Sequence, residues 1–170
     1  LIPHAHFKEV PVEAKLYGVD DGLSQGLIYG MVMDHDGRLW LATKDGLNCY
    51  NGRGFRTFRH EATDILSMAH DQVQSLSMDT LGMLWLVYTN GTVGRFDPAT
   101  ETFTKLRAPS NNRLNFREVQ RMPDGGMVFR SMDSTGHSMY FLTDLPEKYA
   151  AQAPLSLQPI ENEIPDIQFS

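Results

Sequence analysis

The fold of this chain is decided by residues 26–58, which read GLIYGMVMDHDGRLWLATKDGLNCYNGRGFRTF. An apolar strand is followed by Asp-x-x-Gly, a Leu-Trp strand, a strand led by Gly and a last strand that ends in Phe. The same order returns in residues 70–106, which read HDQVQSLSMDTLGMLWLVYTNGTVGRFDPATETFTKL. A repeat of this length that is rich in hairpin signals is typical of one four-stranded blade of a β-propeller.

The spacing of the repeat can be followed through the whole chain. The first apolar residues of the innermost strands are Ile28, Val73, Phe116 and Ile164. They are separated by 45 (73−28), 43 (116−73) and 48 (164−116) residues. Trp40 and Trp85 are also 45 residues apart, and Val128 follows Trp85 by 43. The spacing predicts an all-β propeller fragment with about three four-stranded blades and the first strand of a fourth.

The turns of the first copy explain why it should fold into antiparallel strands. Asp36-Gly37, Asp45-Gly46 and Asn51-Gly52 each pair an Asx residue with Gly, a combination that tolerates the positive φ of tight hairpins. Between these turns lie short runs at 38–43, 47–50 and 55–58, whose aromatic and branched residues favour strands.

These patterns divide the chain into five segments. We predict an N-terminal strand or lead-in at 1–21, blade 1 at 22–60, blade 2 at 61–107, a degenerate blade 3 at 108–150, and a linker with the start of blade 4 at 151–170. The longer connections, residues 59–72 and 107–115, are loops of the kind that often carry function. The sequence does not single out ligand-binding residues within them.

Composition sets limits on the function. The chain of 170 residues is 41% hydrophobic, which suffices for a globular core, and its formal net charge is −6. An acidic chain is a poor nucleic-acid binder, because phosphate binding depends on clustered Lys and Arg. We therefore expect no nucleic-acid partner. We also expect no membrane contact by this segment, because it has no apolar run near the ~20 residues that span a bilayer.

Several polar residues are candidates for metal binding, and each has a structural explanation. His4 and His6 could chelate a transition metal, but no third ligand is identifiable nearby. The stretch 34–37, Asp-His-Asp-Gly, is similar to a calcium loop, but the Gly comes too early and the bidentate Glu is absent. Asp36, Asp79 and Asp124 lie in or beside corresponding turns, which favours a structural role shared by the blades. We predict no metal and no cofactor.

The remaining candidates do not assemble into an active site. Trp40 and Trp85 could stack on sugars, but their place in a repeated strand favours packing between blades. The single cysteine, Cys49, lies in a predicted strand and is interpreted as a core residue. His60, His70 and His137 lie in predicted loops without an identifiable Ser or carboxylate partner. The sequence therefore predicts no catalytic residue.

Residues 22–50 carry a more specific signal. They include Gly22-Leu23-Ser24, then Asp34-His35-Asp36-Gly37-Arg38-Leu39-Trp40, Thr43 and Gly46-Leu47. This order resembles the two-component regulator propeller repeat. The second copy departs from it at Tyr88 and Val93, and the third keeps only the Asp-Gly turn and the strand spacing. The resemblance covers residues 7–106 well and 107–170 by spacing alone.

The resemblance implies a sensory role. Proteins with this repeat are mostly extracytoplasmic sensors of hybrid two-component histidine kinases in Bacteroides-like bacteria, and many respond to oligosaccharides. The implied role is the N-terminal part of a periplasmic sensor that detects oligosaccharides and signals to polysaccharide-utilisation genes. No kinase motif occurs in the chain, so the resemblance implies no enzymatic activity for this segment.

Three blades and one strand cannot close a ring of four to eight blades. We therefore expect further blades and a C-terminal ectodomain of the same protein as partners, and self-association where the open sheet face is uncovered. Two alternatives remain. Residues 81–97 are also similar to the blades of streptogramin lyases, and a propeller can serve as a scaffold for protein interactions.

Overall fold

A computed structural model describes residues 14–106, 114–142 and 158–159 of the chain. Twelve strands occur in this part: β1 (Ile28–Met33), β2 (Leu39–Thr43), β3 (Gly46–Tyr50), β4 (Phe55–Phe58), β5 (Val73–Met78), β6 (Leu84–Tyr88), β7 (Val93–Asp97), β8 (Thr102–Leu106), β9 (Asn115–Arg121), β10 (Met127–Met132), β11 (Ser138–Leu142) and β12 (Gln158–Pro159). They form three four-stranded antiparallel sheets in the orders β1-β2-β3-β4, β5-β6-β7-β8 and β9-β10-β11-β12. The predicted all-β propeller architecture is confirmed, and we call the three sheets blades 1, 2 and 3.

The strands of blade 1 follow from its turns. Gly37 and Gly46 have φ values of +77° and +103°, a region that residues with a Cβ rarely adopt. Gly37 lies in the connection between β1 and β2, and Gly46 is the first residue of β3, so the chain reverses where the Asx-Gly pairs predict. The strands expected at 38–43, 47–50 and 55–58 are confirmed to within one residue.

The blades pack face to face, and each tryptophan lies in the interface with the next blade. Trp40 of blade 1 contacts Phe96 of blade 2, with ring centroids 5.3 Å apart. Trp85 of blade 2 contacts Phe129 of blade 3, with ring centroids 5.6 Å apart. Both tryptophans are at most 2% exposed. Two apolar cores therefore hold the three blades in a row.

Blade 3 takes its fourth strand from a distant part of the chain. Gln158 and Pro159 pair antiparallel with β11, so the strand lies inside the segment 151–170 that the sequence assigned to a linker and blade 4. Within the lead-in 1–21, the described residues form one 3₁₀ turn at Val19–Asp21 and no strand. The predicted start of blade 4 at Ile164 lies outside the described residues, and the segment boundaries stay a prediction.

Blade 1 has one face that neither of the other two described blades covers, and we call it the back face. Met31 and Met33 lie on this face and are 63% and 65% exposed. Val32 points to the opposite side and packs against the core shared with blade 2, as the alternation of a strand requires. The equivalent residues of blade 2, Leu76 and Met78, pack against that same core. The back face thus has the composition of an interface between blades.

No helix in the described ranges is long and apolar enough to cross a membrane.

Candidate ligand site on the inner strands

The innermost strands of the three blades lie side by side, because β1 contacts β5 and β5 contacts β9. A recess of about 320 Å³ opens along them and is lined by Tyr29, Gly30, Ser75, Leu76, Ser77, Glu118, Val119 and Gln120. A second recess of about 360 Å³ lies toward the β1–β2 turn and shares Ser77 and Gln120 with the first. We call these two adjoining recesses together the inner recess.

A β-bulge shapes the inner recess in each blade. The pairing of β1 with β2 shifts at Tyr29, that of β5 with β6 at Gln74, and that of β9 with β10 at Arg117. These positions are 45 and 43 residues apart, so the bulge belongs to the repeat. A bulge bends its strand and redirects the side chains near it. In each inner strand, the bulge residue therefore has no paired residue on the neighbouring strand, and the pairing of the sheet does not fix the direction of its side chain.

Blades 2 and 3 are joined by polar contacts beside the recess. The Gln74 side chain donates a hydrogen bond from Nε2 to the carbonyl oxygen of Phe116 at 2.9 Å. The Val119 backbone N–H donates to Ser75 Oγ at 3.1 Å. Blade 1 has Gly30 at the position of Ser75 and lies close to Leu76 instead. Gly30 has no side chain and therefore cannot form the hydrogen bond that Ser75 makes between blades 2 and 3.

The charges beside the recess are largely paired. Arg130 Nε donates a hydrogen bond to Glu118 Oε2 at 2.9 Å, and this bond raises the pKa of Arg130. The exposed side chains of Arg121 and His35 lie at the end near the turns. The interior of the recess offers mainly neutral hydrogen-bonding groups, the Ser75 and Ser77 hydroxyls and the Gln120 amide.

A second groove of about 440 Å³ lies between the turns of blades 1 and 2. Asp34 is its most buried carboxylate, and both of its oxygens already accept hydrogen bonds within the protein. Asp34 Oδ1 accepts hydrogen bonds from the N–H groups of Asp36 and Arg38, and Oδ2 accepts from Arg38 Nε and Trp40 Nε1. A cation would have to displace these donors. The turn contacts thus account for the calcium-like stretch 34–37, and no group of three or more metal-ligating residues occurs within the described part.

The predicted structural roles of two residue types are confirmed. Trp40, Trp85 and Cys49 are buried in the cores between blades. Burial raises the pKa of the Cys49 thiol, which keeps it protonated at neutral pH. His4 and His6 lie outside the described residues.

The histidines of the loops have local contacts. His60 Nδ1 lies 2.7 Å from the carbonyl oxygen of Met68, and His70 Nδ1 accepts from the Gln72 N–H at 3.1 Å. His137 Nδ1 lies 2.6 Å from the Thr135 hydroxyl. Among the described residues, these rings do not form a group of three potential metal ligands.

The connection 59–72, which sequence analysis considered for function, is packed against blade 2. Met68 is completely buried, and the carbonyl oxygen of Leu66 accepts a hydrogen bond from the Phe103 N–H at 2.9 Å. The Ser67 hydroxyl donates to the carbonyl oxygen of Glu61 at 2.9 Å. This connection is therefore part of the scaffold. Residues 107–113 of the other long connection lie outside the described residues.

The inner recess was not predicted from the sequence. A signal was present, because Val32 is replaced by Ser77 and Gln120 at the equivalent positions of blades 2 and 3. Polar residues at an otherwise apolar position of a repeat indicate a use other than packing. This signal cannot be interpreted from the sequence alone, because the bulges change which residues of a strand share a face.

Comparison with known proteins supports the interpretation of the repeat. Residues 22–45 match the family model described as the two component regulator propeller, so the resemblance predicted there is confirmed. Histidine kinase P4 of Formosa agariphila is 39% identical over 49 residues, which are 29% of this chain and 4% of that protein.

Two solved structures have a similar fold. Both are extracellular domains of hybrid two component systems of B. thetaiotaomicron. The first has a TM-score of 0.61 and 15% identity, and the match covers 76% of this chain and 23% of the other. The second has a TM-score of 0.59 and 19% identity, and covers 78% and 17%. The chain thus spans less than a quarter of the length of each of these three relatives, and at the identity of the two solved structures the likeness shows the fold alone.

Proposed function

We propose that this chain is the N-terminal part of the extracytoplasmic ligand-sensing domain of a hybrid two-component sensor histidine kinase. The observation that carries the proposal is the match of residues 22–45 to the two component regulator propeller. The fold supports it, because the matched residues form the first two strands and the Asp34–Trp40 contact of a propeller blade. The identity with a histidine kinase over 49 residues points to the same class of protein.

The ligands we propose are oligosaccharides, and the output is a signal to polysaccharide-utilisation genes. The chain would lie in the periplasm and would have no catalytic activity of its own, with the kinase core in another part of the protein. A ligand can act only through different affinities for two states of the sensor. We therefore propose that binding changes the relative orientation of ectodomains and so shifts the kinase between states.

The proposed partners of this chain are other blades of the same protein and a C-terminal ectodomain. The exposed Met31 and Met33 support this proposal, because the equivalent residues of blade 2 are packed against blade 1. Where nothing covers the back face, we expect the chain to self-associate, since exposed apolar patches on sheets are interaction surfaces.

Calorimetry against an oligosaccharide panel tests the proposed function. The panel should contain neutral and acidic oligosaccharides from plant, algal and host polysaccharides, titrated into the complete ectodomain of the protein. We expect saturable binding of one structural class and no change in the covalent structure of the sugar. If every glycan fails and a protein partner co-purifies, the chain is an interaction scaffold. Turnover of a cyclic depsipeptide would indicate a lyase instead.

A further inference from the structure

The inner recess has polar side chains that the fold does not use. Ser77 and Gln120 are half-buried and line both parts of the recess. Within the described ranges, neither side chain forms a hydrogen bond to another residue. Their equivalent in blade 1, Val32, packs against the core, so a polar residue is not needed there for folding. Half-buried polar groups that other described residues do not engage are available to hydrogen-bond a ligand in the recess.

An aromatic ring stands beside these polar groups. Tyr29 occupies the bulge position of β1, lines the recess and is 40% exposed. The equivalent residues of blades 2 and 3 are Gln74 and Arg117, so the ring is not a requirement of the repeat. A half-exposed tyrosine offers an apolar face together with a hydroxyl group, which suits ligands that are apolar on one face and polar at their edges.

The wall of the recess is rigid and carries little net charge. The hydrogen bonds from Gln74 and to Ser75 fix β5 against β9 before a ligand arrives, which lowers the entropy cost of binding. The negative charge of Glu118 is compensated by Arg130. Apart from Arg121 and His35 at the end near the turns, the described side chains that line the recess offer a strongly charged ligand no unpaired counter-charge.

We propose that the inner recess binds a neutral, hydroxyl-rich ligand of the sugar class, with Tyr29 stacking on the ring and Ser77 and Gln120 binding its hydroxyl groups. This inference rests on the proposed function for its ligand class and adds the place of binding. Sugar hydroxyls both donate and accept hydrogen bonds, as the Ser hydroxyl and the Gln amide do. The recess volumes of about 320 and 360 Å³ fall at the lower end of the range of ligand pockets.

The test uses exchanges that the repeat itself suggests. Ser77→Val and Gln120→Val introduce the residue of blade 1 at the same position, and Tyr29→Gln introduces that of blade 2. Thr104→Val is the matched control, because Thr104 is an exposed strand residue on the outer strand β8. All variants are first compared with the parent by thermal unfolding. Variants that unfold with the parent's transition then enter the binding experiment.

Each variant of the full ectodomain is titrated with the same panel of neutral mono- and oligosaccharides, and binding is followed by calorimetry. We expect Gln120→Val and Tyr29→Gln each to weaken the best ligand about tenfold, which is the effect of one lost hydrogen bond or stacking contact. Thr104→Val should bind like the parent. If the protein binds a sugar and none of the three recess variants changes the affinity, the inner recess is not the binding site, and the proposed function still stands. If no sugar of the panel binds at millimolar concentration, both are overturned.

Discussion

Asp79 and Trp85 are completely buried and hold one another in place. Trp85 Nε1 donates a hydrogen bond to Asp79 Oδ2 at 2.8 Å, and Asp79 Oδ1 accepts from the N–H groups of Leu81 and Met83. Asp34 and Trp40 form the same contact in blade 1, also at 2.8 Å. The pair connects the β5–β6 turn to the core of the blade, so it links turn conformation to packing.

The third blade has lost both members of this pair. Met122 stands at the position of Asp79 and Val128 at that of Trp85, six residues apart as in the other blades. A buried carboxylate without its donors is costly, so the loss of one partner favours the loss of the other. Asp124, which the sequence grouped with Asp79, instead accepts a hydrogen bond from the Gly126 N–H and is exposed. A structural role of this Asp shared by all blades is therefore wrong.

The two tryptophans offer a matched pair of substitutions. Trp40→Phe and Trp85→Phe remove the same donor from equally buried sites. Asp34 keeps Arg38 on the same oxygen, whereas the donors that Asp79 keeps among the described residues are the backbone N–H groups of Leu81 and Met83. We expect Trp85→Phe to lower the free energy of unfolding by about 1–2 kcal/mol more than Trp40→Phe. Urea unfolding of both variants measures the difference. Equal losses would show that Arg38 does not compensate Asp34 for the lost indole donor.

The same contacts predict a dependence of stability on pH. Burial raises the pKa of Asp34, but hydrogen bonds from Trp40 and from the backbone and side chain of Arg38 outweigh it, so the pKa is lowered. The unfolded chain, in which Asp has a pKa of about 3.9, therefore takes up the proton first. The stabilisation by Asp34 is fully present above that value and is lost as the pH falls toward the lower pKa of the folded state.

Asp34→Asn isolates this contribution. The variant should be less stable than the parent at about pH 7, and the difference in the free energy of unfolding should shrink as the pH falls below about 4. Urea unfolding at a series of pH values gives the difference directly. Thr104→Val carries no titratable change, so its difference from the parent should not vary with pH. A constant difference for Asp34→Asn would contradict the lowered pKa.

The sequence predicted the burial of Trp40 and Trp85 but not their carboxylate partners. Burial follows from the repetition of a large apolar residue, which can be seen in the sequence alone. The hydrogen bond depends on the register of the hairpin, which brings Oδ2 of Asp34 to within 2.8 Å of the indole N–H. Because Asp36 and Asp124 are also beside turns, the sequence offers several carboxylates and no means of choosing among them.

At the scale of the element, different side chains fill the same space within blade 1 and within blade 2. In blade 1, Ser24, Thr43 and Asn48 form a hydrogen-bonded cluster: Asn48 Nδ2 donates to Ser24 Oγ at 2.7 Å, and the hydroxyls of Ser24 and Thr43 are 3.1 Å apart. In blade 2 the equivalent positions hold Ala69, Tyr88 and Gly94. The large Tyr88 side chain fills the space that the Asn48 side chain occupies in blade 1.

Because the large Tyr88 stands at the position of Thr43, the neighbouring position 94 has to be a glycine. A Cβ on Gly94 would lie 2.8 Å from the Tyr88 hydroxyl oxygen and 3.0 Å from its ring. Tyr88 cannot move away easily, because it is completely buried. Burial also raises the pKa of Tyr88, whose hydroxyl lies near the backbone of Ala69 without a hydrogen bond of normal geometry among the described residues. The departure of Tyr88 from the repeat pattern is thus compensated by two smaller neighbours.

A double-mutant cycle tests the compensation. We expect Gly94→Ala to lower the free energy of unfolding by about 1–3 kcal/mol, because the methyl group overpacks the site. In a Tyr88→Thr background the same change should cost much less, since the hydroxyl and ring are gone. Chemical denaturation of the four proteins yields the coupling energy. Additive effects would show that Gly94 and Tyr88 are not in contact.

The strands of all three blades were accessible to sequence analysis, and the bulges were not. Asx-Gly pairs fix where the chain turns, and the runs between them are too short for helices. A bulge is a property of two paired strands, so Tyr29 cannot be recognised as a bulge residue before its pairing with β2 is known. The inner recess depends on three such bulges and therefore appears only in the structure.

At the scale of the molecule, we expect the back face of blade 1 to determine the oligomeric state of the chain in solution. We expect the chain of 170 residues to form at least a dimer when it is isolated, because Met31 and Met33 are exposed on a face built for packing. Replacing both by Ser should shift the protein to a monomer in light scattering. The control is Ile65→Ser with Leu81→Ser, since these apolar residues are also exposed but lie in connections between strands.

The control variant should keep the oligomeric state of the parent. A parent chain that is a clean monomer at high concentration would contradict self-association. Sequence analysis anticipated an open sheet face from the number of blades. It could not locate the face, since the exposure of Met31 follows from which side of β1 packs against blade 2.

The central claim, that the chain senses a sugar for a histidine kinase, is tested most directly by phosphorylation of the natural full-length protein in membrane vesicles. Labelled ATP is added with and without the oligosaccharide that binds best in calorimetry, and acid-labile phosphate on the protein is measured. We predict phosphorylation whose extent depends on the sugar, and loss of that dependence with retained basal phosphorylation in the Tyr29→Gln variant. A protein that takes up no phosphate, or whose phosphorylation is indifferent to every sugar it binds, would contradict the claim.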